Sequence, residues 1–297
     1  RGGNPYASVL QTTNPVGSPF VYPPGELAWY ALPQWLFGDI SRVDTWAGVL
    51  IVGAIALAGV KVGFGAVALP AMLYASWGVA GFRAIDGSND VSASALVVFA
   101  CVALVFASGG EDARLGGVTT VGRGERLVFV LSAVLFGWAI AFKQFSLLVL
   151  PPVVRHLATS GADWRRYLAI ALGTTTAFVL PFFVRDPGAF LGNQIEALTF
   201  HEEIWGANLL HTLAQFGDVE MLLPLFMAAE IVGTLGLVWL VAARWSAPTL
   251  GAAVLAGAGI VLVPLLLAKW TTQPYYAYIG GLVACGLALL ATRIHRE

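Results

Sequence analysis

Charge is the scarcest commodity in this sequence. Lysine, arginine, aspartate and glutamate make up 11% of its 297 residues, against about 25% in an average soluble domain, which all but excludes a water-soluble fold. Cysteine is nearly absent too: Cys101 and Cys285 both lie in apolar runs, where a thiol is a small hydrophobe, so a disulfide scaffold has no support. A Walker-type glycine-rich phosphate loop, a GxSxG elbow, a CxxC pair and an HExxH pair are all missing, which removes an ATPase motor domain and the common soluble hydrolases. A formal net charge of -1 gives no footprint for nucleic acid. No repeat at a fixed period and no low-complexity run interrupts the chain.

What remains is apolar. Hydrophobic residues make up 58% and glycine adds 34 positions, an excess that must face lipid. Runs without charge predict membrane spans at 45–60, 62–79, 91–107, 127–142, 167–184, 249–268 and 276–292. A run at 221–243 is interrupted by Glu230, and a shorter one covers 145–154. The expected fold is all-α and polytopic, with about eight or nine transmembrane helices. Pro23 to Gly38 reads differently, because two prolines open it, Pro33 interrupts it, and Trp29, Tyr30 and Trp35 crowd a short stretch; it is expected to lie at the membrane interface.

Sidedness follows from basic residues, which stay cytoplasmic. Arg114, Arg123 and Arg126 in one loop and Arg155, Arg165 and Arg166 in another are assigned inside, so Lys143-Gln144 becomes the outer turn of a tight helical hairpin, with Pro151-Pro152 irregular on the way back. Alternation then puts Lys61, Arg244, Arg293 and Arg296 inside. Outside fall Glu26, Asp39, Asp44, Asp86, Asp90, Asp186, Glu196, Glu202, Glu203, Asp218 and Glu220, an acidic outer face. The domain plan is a single integral-membrane domain over 1–297: an outer loop with the interfacial helix (1–44), an N-terminal helical module (45–184), a long outer loop (185–220) and C-terminal helices (221–297).

Candidate chemistry collects on that face. The long loop joins His201, Glu202 and Glu203 to Trp205, with His211 ten residues on, although a surface helix at 188–200 followed by solvated charges explains the same pattern. Zinc is a weak reading, since these histidines lack metal-ligand spacing. Arg83, Asp86, Asn89 and Asp90 stand at the mouth of a helix that Ser88, Asn89 or Asp90 can cap. Arg83, Lys143, Arg185 and Lys269 lie on the side where the positive-inside bias would not put them, and as a set they suit a lipid-linked phosphate. Glu230, near mid-membrane, is expected to be protonated, paired or on a wet path.

The order of these features resembles the GT-C membrane glycosyltransferases. Gly2 to Tyr6 (GGNPY) and the following VYPPGELAWYALPQWLFG are similar to the first outer loop and surface helix of polyprenyl-phosphate-mannose-dependent mannosyltransferases. GSND at 87–90, AFKQ at 141–144 before LLVLPP, and QPYYAYIGGLVA at 273–284 fit later family positions. The resemblance implies inverting transfer of a hexose, in first place mannose, from a polyprenyl-phosphate donor to a lipid or glycan acceptor at the outer face of the plasma membrane. By the same resemblance Lys143, Arg185, His201 and Lys269 would meet the donor phosphate, and Tyr22, Asp90, Gln144, Glu202 and Tyr275 the sugar or acceptor. No cofactor is required; outer carboxylates could hold a divalent cation, but no spacing compels it. Membrane lipids are the other expected partners.

The family's carboxylate base lies upstream of the GxNPY stretch, and the sequence starts at Arg1, so a preceding segment is expected and 1–297 alone is expected to be inactive. Glu26 or Asp90 are possible substitutes, Glu26 being equally suited to favouring the start of its helix. The alternatives are a secondary transporter or flippase, resting on Glu230 and on helices broken at Pro70, Pro151, Pro152, Pro181, Pro224 and Pro264, and a non-catalytic membrane subunit.

Overall fold

Backbone polar groups have no water to bond in a bilayer, so a chain this apolar must satisfy them within helices. The computed structural model describes residues 5–7, 9–10, 18–19, 22–40, 42–78, 81, 89–107, 123–199, 204–245 and 247–290. They form helices α1 (Gly25–Phe37), α2 (Val43–Val62), α3 (Phe64–Ser76), α4 (Asp90–Ala107), α5 (Arg123–Phe142), α6 (Ser146–Thr159), α7 (Trp164–Arg185), α8 (Pro187–Thr199), α9 (Leu209–Ala214), α10 (Leu223–Ala243), α11 (Leu250–Leu267) and α12 (Gln273–Leu290). Two-residue β pairings are the only strands among the described residues: β1 (Val9–Leu10) with β2 (Ser18–Pro19), antiparallel, and β3 (Trp205–Gly206) with β4 (Trp270–Thr271), parallel.

The protein is an all-α polytopic membrane protein. Seven of its helices, α2, α4, α5, α7, α10, α11 and α12, are long and apolar enough to cross a membrane. The apolar α3 and α6 have 13 and 14 residues, and at 1.5 Å per residue each reaches about 20 Å, short of the ~30 Å hydrocarbon core. The expected run at 62–79 thus contracts to α3, closed off before it by Gly63 and after it by Trp77.

Polar residues mark the ends. Asp163 accepts from the Arg166 amide at 3.1 Å to open α7, Thr249 from the Ala252 amide at 3.1 Å to open α11, and Asn208 from the His211 amide at 2.7 Å to open α9. Proline does not break the bundle as expected. Pro70, Pro151, Pro152, Pro181 and Pro264 lie inside continuous helices, and Pro224 sits in the first turn of α10, where its missing N–H costs nothing. The return from Lys143 is therefore a regular α6; neighbouring helices hold the turns where the prolines remove hydrogen bonds.

Helix α4 is the centre. Thirteen of its eighteen residues are buried, and it packs on α2, α5 and α12. Helix α10 is the opposite case: it packs on α6 and α11 and turns Leu225, Met227, Ile231, Val232, Leu235 and Trp239 outward. The long loop of 185–220 is partly helical, with α8 packed on the end of α7 and on residues 5–7.

Helix α1 lies against the end of α5. Pro23 and Pro24 precede it and Gly38, at φ 68°, closes it with its N–H on the Gln34 carbonyl at 2.9 Å. Gly25 makes the approach possible: a Cβ there would stand 2.5 Å from the backbone of Ala141, and the Gly25 carbonyl accepts from Trp138 Nε1 at 2.9 Å. Leu32, Trp35, Leu36 and Phe37 on its second half are exposed.

Gly25→Ala is expected to lift α1 from α5 and lower stability by about 1–3 kcal/mol, the cost of overpacking. Gly53→Ala, where the added methyl meets open space, should stay within about 0.5 kcal/mol. Thermal unfolding of the two variants in one detergent checks the pair.

Candidate functional site

Three helices begin at the same place. Glu26, Asp44 and Asp90 each occupy the first turn of α1, α2 and α4, where the helix dipole favours a negative charge. Lys143 answers them from the opposite kind of position, directly after the last residue of α5, with its N–H on the Ala139 carbonyl at 2.9 Å. The four charges therefore suit their own helices and face one another as well.

Lys143 is only 2% exposed and Asp90 3%. The Lys143 ammonium forms an ion pair with the Asp90 carboxylate and donates to Asn89 Oδ1 at 3.0 Å. It also lies over two rings, 4.7 Å from the Tyr275 centroid and 5.5 Å from that of Tyr22. Asp44, equally buried, accepts from the Tyr30 hydroxyl at 2.8 and 2.9 Å through its two oxygens, and from the Ser92 hydroxyl. Tyr278, whose hydroxyl donates to Ser146 at 3.0 Å, packs nearby at the foot of α6.

Glu26 is treated differently. Its carboxyl meets the Asn89 side chain, while its Oε2 is buried without a hydrogen-bond partner. Burial pushes its pKa up to about 7; Asn89 and Lys143 pull against that shift, and the charges of Asp44 and Asp90 add to it. Burial also raises the Tyr22 hydroxyl well above the usual phenol range, with Tyr275, Glu26 and Asp90 adding to the effect, so it remains a neutral hydrogen-bonding group.

Chain segments beyond the helices brace the site. The Tyr6 hydroxyl donates to the Tyr22 carbonyl at 2.7 Å, and its ring packs edge-on against Phe182 and Phe190. Asn193 Nδ2 donates to the Tyr6 carbonyl at 3.1 Å. On another flank Gly206, at φ 111°, pairs with Thr271, where any side chain would collide with the Thr271 carbonyl. The Tyr276 hydroxyl, on α12 one residue after Tyr275, donates to the Ala207 carbonyl and ties this pairing to the site.

Of the residues singled out in the sequence, Lys143, Asp90, Tyr22 and Tyr275 come together here. Gln144 is exposed beside Lys143, Arg185 is exposed at the last position of α7, and Lys269 is half-buried just before β4. His211 holds the Ile204 carbonyl through Nδ1 at 3.2 Å. Arg83, Asp86, Ser88, His201, Glu202 and Glu203 lie outside the described residues. Asp44, Tyr30 and Ser92 were not foreseen as site residues; Asp44 stood only among the outer carboxylates.

Similarity adds nothing to these contacts. No family model matches the chain, and no curated protein or solved structure matches it either. Among the described residues no group of three or more His, Cys, Asp or Glu side chains is arranged to hold a metal ion. The chemistry on offer is that of one ammonium, carboxylates and phenols, able to bind hydroxyls and to exchange a proton.

Removing one partner of the buried pair leaves a bare charge. Lys143→Ala is expected to destabilise the protein by about 3–5 kcal/mol, and adding Asp90→Asn should recover much of that loss. Unfolding measurements on the single and double variants check this. Stability should also report Glu26: its carboxyl stays protonated in the native state up to about pH 7, whereas an unfolded chain releases that proton near 4.5. The native state then holds more protons across that window, so stability falls as pH rises from about 4.5 to 7 and levels off above. Glu26→Gln should remove this part of the slope in a pH series of unfolding curves.

Proposed function

We propose that this chain is the membrane part of a GT-C-type glycosyltransferase that moves a hexose, in first place mannose, from a polyprenyl-phosphate donor to a lipid or glycan acceptor. The site faces the outside of the plasma membrane on this reading, since the loops rich in arginine belong to the opposite end. Arg155 Nε and His156 Nδ1 meet the carbonyls of Trp245 and Ala247 there, at 3.1 and 3.2 Å.

One observation carries the proposal: four residues from separate motifs, Tyr22, Asp90, Lys143 and Tyr275, meet in one cluster at the helix ends beneath an aromatic-rich helix. A lipid-linked donor needs such a place, with its polyprenyl tail in the bilayer and its phosphate and sugar at a polar end. An ammonium has three donors. Asn89 and Asp90 take two from Lys143, and the third is available to a phosphate oxygen, with the Tyr22 and Tyr275 hydroxyls beside it. As the sugar–phosphate bond breaks, negative charge grows on the departing phosphate, where a fixed ammonium in a dry site is most effective. Arg185 and Lys269, near the same end, suit the approach of the donor.

A proton-coupled transporter is less well supported. Glu230, the carboxylate on which it would rest, sits on the peripheral α10, and every proline thought to break a spanning helix lies within a continuous one or in a first turn.

Proteoliposomes holding the full-length protein, with labelled polyprenyl-phosphate hexoses and a lipid extract as acceptor, test the reading. The expected result is release of polyprenyl phosphate together with labelled acceptor, reduced about 10²-fold or more when Lys143 and Asp90 are replaced together by Met and Asn. Failure to release polyprenyl phosphate with any hexose donor and acceptor would sink the proposal.

A further inference from the structure

Helix α10 leaves a gap beside its last turns. A cavity of about 340 Å³ lies there, lined by Leu240, Val241 and Arg244 from the end of α10, Trp245 just beyond it and Ala256 from α11. Ala256 is in the second turn of α11, so the cavity reaches about 9 Å along that helix at 1.5 Å per residue. Its walls are mostly apolar, with one guanidinium at the rim. Leu240 and Arg244 are exposed, so the cavity opens at the periphery of the bundle, where a membrane protein meets lipid.

The rim is built rather than loose. The Leu240 carbonyl accepts from the Arg244 amide at 2.9 Å and from the Trp245 amide at 3.1 Å, which ends α10 and turns the chain back. From α6, Arg155 Nε donates to the Trp245 carbonyl at 3.1 Å and His156 Nδ1 meets the Ala247 carbonyl at 3.2 Å. The Arg244 guanidinium lies 5.9 Å from the centroid of the Trp239 ring, within cation–π range. Two guanidiniums thus converge on Trp245, one next to it in the chain and one bonded to its carbonyl. Each has five N–H donors, and among the described residues neither Arg155 nor Arg244 meets a carboxylate. Lys61, Arg123, Arg126, Arg165 and Arg166 add to the positive charge of this end, against Glu125 and Asp163.

We propose that this cavity binds one anionic phospholipid, its phosphate held by Arg244 and Arg155 and one acyl chain laid against Leu240, Val241 and Ala256. Each part of the lipid meets its counterpart. A guanidinium matches phosphate oxygens two at a time and gives up its water more readily than an ammonium. Trp239 and Trp245 stand at the level where indole rings favour the membrane interface. The apolar wall accepts any acyl chain, and the guanidiniums supply the selection, because a zwitterionic headgroup brings an ammonium that they repel. An arginine at a helix end also suits the helix dipole, but the dipole explains neither the cavity nor the second arginine. The site is at the far end of the bundle from Lys143 and does not depend on the transferase reading.

The test is a titration of the protein in neutral detergent with phosphatidylglycerol or with phosphatidylcholine of the same acyl chains, bound lipid being counted by native mass spectrometry. The first phosphatidylglycerol should bind about tenfold more tightly than phosphatidylcholine, and Arg244→Gln should weaken it about fivefold, the order expected for one basic residue at a membrane surface. Arg244→Lys should keep most of the affinity. Ala256→Leu, which fills the cavity and leaves the charge alone, should also weaken the first phosphatidylglycerol several-fold. Arg165, which lies over Trp164 and does not line the cavity, is the control, and Arg165→Gln should change the affinity less than about twofold. Equal binding of the two lipids overturns the proposal. So does an equal loss in Arg165→Gln and Arg244→Gln, which would mean diffuse attraction to a basic surface, and so does an Ala256→Leu variant that binds as wild type does.

Discussion

The ion pair between Lys143 and Asp90 sets the terms for this end of the molecule. A buried charge is costly unless it is paired and hydrogen-bonded, and Lys143 meets that condition only while α4, the turn after α5, residue Tyr22 and α12 are all in register. One ammonium thus fixes four pieces of chain. Helix dipoles make the arrangement cheaper, because the three carboxylates lie at helix starts and the cation at a helix end. The docking of α1 follows from the same geometry: without a side chain at Gly25, Glu26 can come close enough to Asn89 to be drawn into the cluster.

The spans were legible because a bilayer imposes a length and a composition that short-range sequence cannot disguise. The run at 127–142 ends where α5 ends, Lys143-Gln144 is the turn, and the helix expected from Pro23 to Gly38 is Gly25–Phe37 with its glycine cap. The site was only half legible, for a different reason. Ser92 lies 48 residues from the Asp44 it bonds, and Asp44 at the start of a helix looks in sequence like any residue placed there for the dipole. Lys143 and Tyr22 carried a signal, since a lysine on the side that the basic bias disfavours and a tyrosine before two prolines both ask for a reason. Proline misled. In sequence it reads as a break, but a buried helix such as α6, packed on α5, α7, α10 and α11, is held straight by its neighbours.

Burial and chemistry are divided along the bundle. The middle, around α4, is apolar and close-packed, with Ser132 and Tyr167 paired at 3.1 Å and Ser132 also donating to the Ala100 carbonyl, so these two side chains are spent on each other and on the backbone. At the Lys143 end the helices stop, and the groups that remain are aimed across the gap between helix ends. The end near Arg155 and His156 uses its side chains to hold the carbonyls of Trp245 and Ala247. Among the described residues, the Lys143 end keeps a carboxyl oxygen and an indole N–H in reserve.

That reserve decides how the charges can be shared. With Lys143 committed to Asp90 and Asp44 satisfied by two hydroxyls, an ionised Glu26 would be a surplus negative charge beneath α1, and burial holds it near neutrality instead. A group held there cannot serve as a permanent structural anion, because its charge is absent for much of the time near pH 7. It can serve as a place to put a proton.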